Sequence, residues 1–337
     1  MNIETIITNT SGGKSSMAQA VIIKRDYGHK YNQICLFANT GMENEETLEF
    51  LNKCDKEYGL NIIWLEAVVH GHNEGNTYRI TNFKDAYRIE QYKDPLHPFH
   101  AHVKKNGIPN ATYPQCSDRL KEHVIELYKK DNGLKGVKQA LGMRIDEENR
   151  ATRKSVRDSL DLLGVGYRLF RVSGWARSLH VTENANFGRL TPLQVKDLGS
   201  YIKKLKKYNL VFPMCDWFPM TKDDVNDFWE DQPFNLELEA HKGNCATCWK
   251  KSDKKLHLIA IEQPEKFEAF NWLEETYKHV KPNTKNGKDR VFFRGHKNCK
   301  MIIGESALMD SYMLRKLIGA NTESESGCGE SCNGYQL

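Results

Sequence analysis

The segment Ser-Gly-Gly-Lys-Ser-Ser at residues 11–16 constrains this chain most, because it follows a short β-like run and precedes a helix-like run. Its two glycines let the backbone turn sharply and bring N–H groups close to an anion, and the next helix presents its positive end. Alone, such a segment is as often a flexible turn. Its order also differs from that of a Walker A loop. In this context we predict another class of phosphate loop, formed by Ser11, Gly12, Gly13, Lys14, Ser15 and Ser16.

Two further strand-loop-helix units follow the phosphate loop. An apolar run at residues 34–38 leads through 39–43 into a helical stretch at 44–58, and a third apolar run occupies 61–67. This alternation predicts parallel strands with crossover helices. Ligands of such sheets lie beyond the carboxyl ends of the strands. We therefore expect the second loop to border the same site through Asn39, Thr40, Gly41 and Glu43.

A fourth buried strand is predicted at residues 137–141, and it leads directly to Gly142 and Arg144. An arginine at a strand end can reach a phosphate or stack on a purine. The predicted fold class is therefore α/β. We expect an open, mostly parallel sheet with flanking helices, followed by a C-terminal helical region that carries cysteines.

The chain divides into three predicted regions. These are a nucleotide-binding core at residues 1–175, a mostly helical region at 176–318 and a cysteine-containing tail at 319–337. Thr221 and Asp224 fit a helix capping pattern. The predicted later helices cover residues 117–130, 225–230, 254–261, 265–279 and 307–317.

Composition excludes a membrane-spanning protein, because the net charge is +5, the mean hydropathy is −0.65 and there is no long apolar run. No basic stretch followed by an apolar segment begins the sequence, so we expect a cytoplasmic protein. Nine cysteines in such a protein favour thiols or metal ligands over disulfides. Buried structural thiols are the interpretation for Cys35, Cys54 and Cys215.

Two short cysteine spacings indicate a metal site. Cys245 and Cys248 form a CxxC motif, and Cys328 and Cys332 form a CxxxC motif in the tail. Such spacings let two thiolates face one metal, and sulfur ligands select zinc or an iron-sulfur cluster. Spacing alone favours neither of the two.

Six motifs then occur in the order found in the phosphoadenosine phosphosulfate reductase family, within the PP-loop adenine nucleotide α-hydrolases. They are SGGK at 11–14, NTGME at 39–43, CSDRLK at 116–121, GMRIDEE at 142–148, DW at 216–217 ahead of DDV at 223–225, and GNCATC at 243–248. The chain resembles this family over residues 1 to about 260, and in particular its iron-sulfur members from phages and bacteria.

The resemblance implies an adenine nucleotide, either ATP or an adenylyl sulfate, and a [4Fe-4S] cluster with zinc as the alternative. It places Arg119 and Lys121 with the nucleotide-binding loops. It also implies that Cys116, Cys245 and Cys248 are cluster ligands. Cys332 would then be the fourth ligand and Cys328 the reactive thiol. In a second arrangement both tail cysteines join the CxxC pair, and Cys116 is free.

Three functions follow from these features. In a sulfurtransferase, Lys14 and Arg144 offset phosphate charge, residues 39–43 line the adenosine side, and ATP activates an acceptor that sulfur attacks. In a sulfonucleotide reductase, a thiol reduces an adenylyl sulfate; reductases with a cluster keep two adjacent cysteines, and here Gln115 precedes Cys116. The third function is a non-catalytic module that binds nucleotide or nucleic acid around a structural zinc.

Candidate partners are tRNA or DNA as the sulfur acceptor and a protein that donates sulfur or electrons. Lysines at residues 203–207 form a solvated helix face or, with Arg290, Arg294, Lys297 and Lys300, a surface for a nucleic acid backbone. His97, His100 and His102 lie close together, but Pro95 and Pro98 disrupt any regular face there, so we predict a polar loop rather than a metal site.

Overall fold

The computed structural model describes residues 3–71, 73–172, 189–282, 287–294 and 297–320. Within them, one sheet contains β1 Glu4–Thr10, β2 Tyr31–Asn39, β3 Ile63–Val68, β4 Thr77–Thr81, β5 Lys138–Leu141 and β6 Leu210–Val211. The strand order is β4-β3-β2-β1-β5-β6. The pairs β1–β2, β1–β5, β2–β3 and β5–β6 are parallel, and β3–β4 is antiparallel.

Helices connect the strands and form the C-terminal region. In chain order they are α1 Lys14–Tyr27, α2 Glu45–Tyr58, α3 Pro98–Asn106, α4 Gln115–Ser117, α5 His123–Asp131, α6 Glu148–Ala151, α7 Lys154–Leu162, α8 Tyr167–Val172, α9 Pro192–Tyr208, α10 Pro213–Asp216, α11 Lys222–Glu230, α12 Asp253–Glu262, α13 Lys266–Tyr277, α14 Cys299–Ser306 and α15 Ser311–Ala320. A π-helical turn at Asp118–Glu122 makes α4 and α5 continuous. None of the helices among the described residues is long and apolar enough to span a membrane.

The predicted fold class is confirmed, and so are the four predicted strands and the capping pattern of α11. The backbone N–H of Asp224 donates to Thr221 Oγ1, and Asp224 Oδ2 accepts from the Thr221 N–H in return. Two strands were not predicted. Most of β4 is exposed at the edge of the sheet, and β6 has only two residues, so neither carries a clear apolar pattern.

Both faces of the sheet are covered because neighbouring strand residues point to opposite sides. Leu36 joins a core with helices α3, α5, α12 and α13, whereas Phe37 joins a core with α1, α2 and α11. The helices therefore hold the sheet from both sides and leave its edges at the strand ends open for loops.

The prediction of a polar loop around the three histidines was wrong. Pro98 occupies the first turn of α3, where the missing N–H of proline costs nothing, and His97 caps the helix by accepting from the His100 N–H. His97, His100 and His102 are all buried. Their rings contact Gly41, Tyr277 and Asn106, in that order.

Candidate active site

The candidate site lies at the carboxyl edge of the sheet, where the chain leaves the central strand β1. From β1 the chain crosses over to β2 on one side of β1, whereas β5 pairs with β1 on its other side. This reversal is the topological switch point at which open α/β sheets bind ligands. The phosphate loop, the second loop and the Gly142 segment follow β1, β2 and β5, so all three meet at this edge.

The phosphate loop is held closed by Ser16. Ser16 Oγ accepts from the Ser11 N–H at 3.1 Å and donates to the Gly13 carbonyl at 3.0 Å. Gly12 has a φ of 75°, and a Cβ there would lie 2.3 Å from Thr47 Cγ2. The turn therefore needs glycine both for its backbone conformation and for its packing on α2.

Gly142 lies against the phosphate loop because it has no side chain. A Cβ at this position would lie 2.8 Å from Ser16 Cα and 3.1 Å from Ser16 N, and both are backbone atoms that cannot rotate away. The segment after β5 thus contacts the first turn of α1 directly.

Replacing Gly142 by alanine should separate these two segments. We expect a loss of about 1–3 kcal/mol in unfolding free energy and weaker nucleotide binding, measured by denaturant unfolding and titration calorimetry. Gly304→Ala is the matched control, since a Cβ there meets nothing within 4 Å in helix α14. The control should be stabilised by up to about 1 kcal/mol. Equal effects of both substitutions would contradict the assigned contact.

Arg144 is fixed at the mouth of the loop by three residues. Its Nη1 donates to Ser15 Oγ at 3.0 Å, and its Nε and Nη2 contact the Asp146 carboxylate at 2.9 and 3.1 Å. Nη2 also lies 3.4 Å from Glu147 Oε1. The guanidinium is therefore oriented before any ligand arrives.

A cavity of about 410 Å³ opens above the phosphate loop, a size usual for small-molecule sites. Of the predicted site residues, seven line it: Ser11, Gly13, Lys14, Ser15, Ser16, Gly142 and Arg144. Glu147 and Arg150, which follow Arg144 along the chain, also line the cavity. The opposite wall was not predicted, and it consists of Lys222, Val225, Asn226, Leu236, Leu238, Glu239, Ala240, Gly243 and Asn244.

The cavity has a cationic end at the phosphate loop and an apolar side that contains Val225, Leu236 and Leu238. Lys14, Arg144, Arg150 and Lys222 supply four cations around the loop. Burial lowers the pKa of Lys14, and the Glu230 carboxylate opposes that shift in part. A partly desolvated ammonium interacts more strongly with a phosphate than one in bulk water does.

The second loop is built as a buried hydrogen-bonded turn beside the cavity. Asn39 Nδ2 donates to Glu66 Oε1 at 2.5 Å, and Thr40 donates to Glu43 Oε2 through both its N–H and its hydroxyl. Glu43 Oε1 lies 3.2 Å from Lys121 Nζ. The predicted site residues Asn39, Thr40, Gly41, Glu43 and Lys121 do not line the cavity, so their role toward the nucleotide stays a prediction.

Three predicted metal ligands lie near this second loop. Cys245 forms a β-bridge with Glu43, and its Sγ lies 3.6 Å from Thr40 Oγ1. Cys116 lies in the first turn of the helix that brings Lys121 to Glu43, and both Cys116 and Cys245 pack against the same apolar core. Cys248 is buried at the end of the CxxC turn. Arg119 pairs with Asp118 on the exposed side of that helix, and Cys328 and Cys332 lie outside the described residues.

The environment of these thiols fits an iron-sulfur cluster. Thr247 Oγ1 and Trp249 Nε1 are buried, lie next to the CxxC pair in sequence and have no hydrogen-bond partner among the described residues. Such N–H and O–H groups donate to cluster sulfur.

In the described part of the chain, Glu239, His241 and Glu262 form a group of three potential metal ligands whose ligand atoms lie within 4.8 Å of one another. Lys242 Nζ lies 2.7 Å from Glu239 and 3.0 Å from Glu262, and Arg315 pairs with both carboxylates. Side-chain cations already neutralise this group.

Comparison with known proteins agrees with this arrangement. The sequence model of the phosphoadenosine phosphosulfate reductase domain matches residues 5–177. The chain belongs to this family. The matched part contains β1 to β5, the phosphate loop, the second loop and the Gly142 segment.

Relatives of this reductase-family chain include two uncharacterized proteins. A nin region protein of Escherichia phage lambda is 24% identical over 331 residues, which is 97% of this chain and 93% of the phage protein. A protein of Methanocaldococcus jannaschii is 28% identical over 147 residues, 43% of this chain and 24% of its own length. The solved U34-tRNA thiolase NcsA from Methanococcus maripaludis with its [4Fe-4S] cluster aligns over 90% of this chain and 81% of its own. Its TM-score is 0.38 at 16% identity.

Proposed function

We propose that this chain is a nucleotide-dependent enzyme of sulfur chemistry that binds an adenine nucleotide in the cavity above the phosphate loop. The phosphate chain would lie on the loop with Lys14 and Arg144, where backbone N–H groups and two cations converge. The base would lie against the apolar wall formed by Val225, Leu236 and Leu238.

The placement of the base gives a direct prediction. Leu238→Asn removes apolar contact and adds an amide that the flat face of a purine cannot satisfy, so ATP should bind about tenfold more weakly. Titration calorimetry with ATP and with pyrophosphate separates the two ends of the site. Pyrophosphate affinity should not change, and neither ligand should respond to Leu193→Asn, an exposed leucine at the start of α9. Equal losses for ATP and pyrophosphate would contradict the assigned base position.

The observation that carries the proposal is the junction of the cavity with the cysteine pair. Gly243 and Asn244 line the cavity, and Cys245 is the next residue along the chain. One segment thus carries both a wall of the proposed nucleotide cavity and the cysteine pair, an arrangement that simple nucleotide binding does not require.

In the proposed enzyme, Cys116, Cys245 and Cys248 hold a [4Fe-4S] cluster together with one tail cysteine. Bound there with four cysteine ligands, the cluster would supply one-electron reduction, and the other tail cysteine would provide the reactive thiol. Lys14 and Arg144 orient the phosphates and stabilise charge that develops on the pyrophosphate leaving group. An acceptor oxygen attacks the α-phosphorus of ATP, pyrophosphate leaves, and a sulfur nucleophile then displaces AMP from the activated acceptor.

The family match favours a second candidate, reduction of an adenylyl sulfate. In that reaction a cysteine thiolate attacks the sulfate sulfur and releases the adenine nucleotide. A second thiol then releases sulfite and leaves a disulfide, which an external dithiol must reduce. The reaction uses the same cavity but neither needs ATP nor releases pyrophosphate.

One anaerobic assay separates these reactions. The protein is incubated with ATP, a sulfide source and either tRNA or DNA, and pyrophosphate and AMP are measured; parallel samples receive an adenylyl sulfate and dithiol, and sulfite is measured. Acceptor-dependent pyrophosphate with one AMP per pyrophosphate supports sulfur transfer. Sulfite formation without pyrophosphate supports the reductase. Absence of both, in protein that binds ATP, contradicts an enzymatic role.

A further inference from the structure

Lys251 is an almost fully buried lysine next to the candidate site, with 1% of its surface exposed. Its Nζ donates to the His241 carbonyl at 2.8 Å and to the Gly243 carbonyl. Its own backbone N–H donates to the Cys248 carbonyl at 3.0 Å. One residue therefore connects the chain before the CxxC motif to the chain after it.

The segment that Lys251 contacts is held from two directions. The carbonyls of His241, Lys242 and Gly243 are consecutive, and side-chain donors reach all three. Asn44 Nδ2, which follows the second loop, donates to the Lys242 carbonyl at 2.7 Å, and Lys251 contacts the other two. Such contacts fix the backbone of a turn that does not belong to a longer helix or strand.

This fixed turn is shared by the cavity and the thiol site. Ala240, Gly243 and Asn244 line the cavity, and Asn244 has a left-handed φ of 64°. Directly after it, Cys245 forms the bridge to Glu43, and the next N–H donates to the Met42 carbonyl at 2.9 Å. A displacement of Asn244 by a ligand would therefore be transmitted to Cys245.

We propose that Lys251 is a positioning residue that makes the cavity wall and the CxxC turn move as one body. Binding in the cavity then sets the position of Cys245 through residues 239–244. Burying an ammonium is costly unless hydrogen bonds compensate it, and here backbone carbonyls supply that compensation. The functional consequence rests on the proposed nucleotide site, whereas the bracing of the turn does not.

Hydrogen exchange of the full-length protein, read by mass spectrometry with and without ATP, tests this role. Lys251→Met keeps the side-chain length but removes the donors. We expect exchange of residues 239–249 to become about tenfold faster without nucleotide, because hydrogen bonds to a charged group are lost. ATP should still protect residues 11–16 in this variant but should no longer protect 239–249. Lys250→Met, whose Nζ lies over the Trp249 ring, is the control and should behave as the wild type.

Two milder variants keep the test informative if Lys251→Met does not fold. Lys251→Arg should retain the protection in part, and Asn44→Ala, which loses one contact to the same turn, should accelerate exchange over 239–249 by a smaller factor. Unchanged exchange and unchanged ATP protection of 239–249 in any folded Lys251→Met protein would overturn the inference. Lack of ATP protection anywhere in the wild type would instead overturn the proposed nucleotide site, and basal exchange would still test the brace.

Discussion

Arg144→Met is expected to weaken adenine nucleotide binding by roughly 30- to 100-fold, which corresponds to about 2–3 kcal/mol. The substitution removes a guanidinium oriented by Ser15 Oγ at 3.0 Å. It also leaves Asp146 and Glu147, which now pair with Arg144, without that cation beside the phosphates. The lost attraction of the guanidinium and the repulsion from the two unpaired carboxylates both weaken ATP binding. Titration calorimetry with ATP at two ionic strengths measures the effect.

Arg25→Met is the matched control for this prediction. Arg25 pairs with Asp26 at 2.6 Å in the last turn of α1, at the opposite end of the helix that the phosphate loop begins. The control should leave ATP affinity within about twofold, because an exposed ion pair contributes little. If Arg144→Met binds ATP as the control does, the phosphates do not lie at the phosphate loop.

Acid is expected to unfold this protein steeply below pH 6.5 because two histidines are buried in neutral form. Burial lowers the pKa of His97 to about 4 and that of His102 to about 3. Above pH 6.5 both are neutral in the folded and unfolded states and stability does not depend on them. Between pH 6.5 and 4 the unfolded chain binds their protons and the folded chain does not. Each then lowers the unfolding free energy by about 1.4 kcal/mol per pH unit.

Urea unfolding at several pH values checks this dependence. His102→Leu should reduce the slope between pH 6.5 and 4 by about 1.4 kcal/mol per unit. His29→Gln, at an exposed histidine in the turn after α1, is the control for removal of one histidine. A His102→Leu protein with the wild-type slope would show that this histidine is charged in the folded state.

The anion end of the site could be predicted from sequence because it depends on local chemistry. Glycines at residues 12 and 142 are needed where backbones turn or touch, and both stand within two residues of the end of a predicted strand. Parallel strands bring their carboxyl ends to one edge whatever the details of packing. The sequence pattern alone therefore predicts that the phosphate loop and Arg144 lie close together.

The opposite wall of the cavity could not be predicted in the same way. It comes from residues far along the chain, as the hydrogen bond from Trp229 Nε1 to the Lys14 carbonyl shows across 215 positions. Leu236 and Leu238 lie in a short segment without helical or strand periodicity. The loop prediction at the three histidines fails for a different reason: proline disrupts the interior of a helix, but Pro98 occupies the first turn of α3, where it is tolerated.

The most direct test of the central claim is an anaerobic assay of iron and acid-labile sulfide in the purified full-length protein. Wild type is compared with Cys116→Ala, Cys245→Ala and the control Cys54→Ala, a buried cysteine of α2 remote from the second loop. We expect about four irons and four sulfides per chain in wild type and control, and loss of most of both in the other two variants. Stoichiometric zinc without iron, or iron that is indifferent to Cys116 and Cys245, would contradict a cluster enzyme.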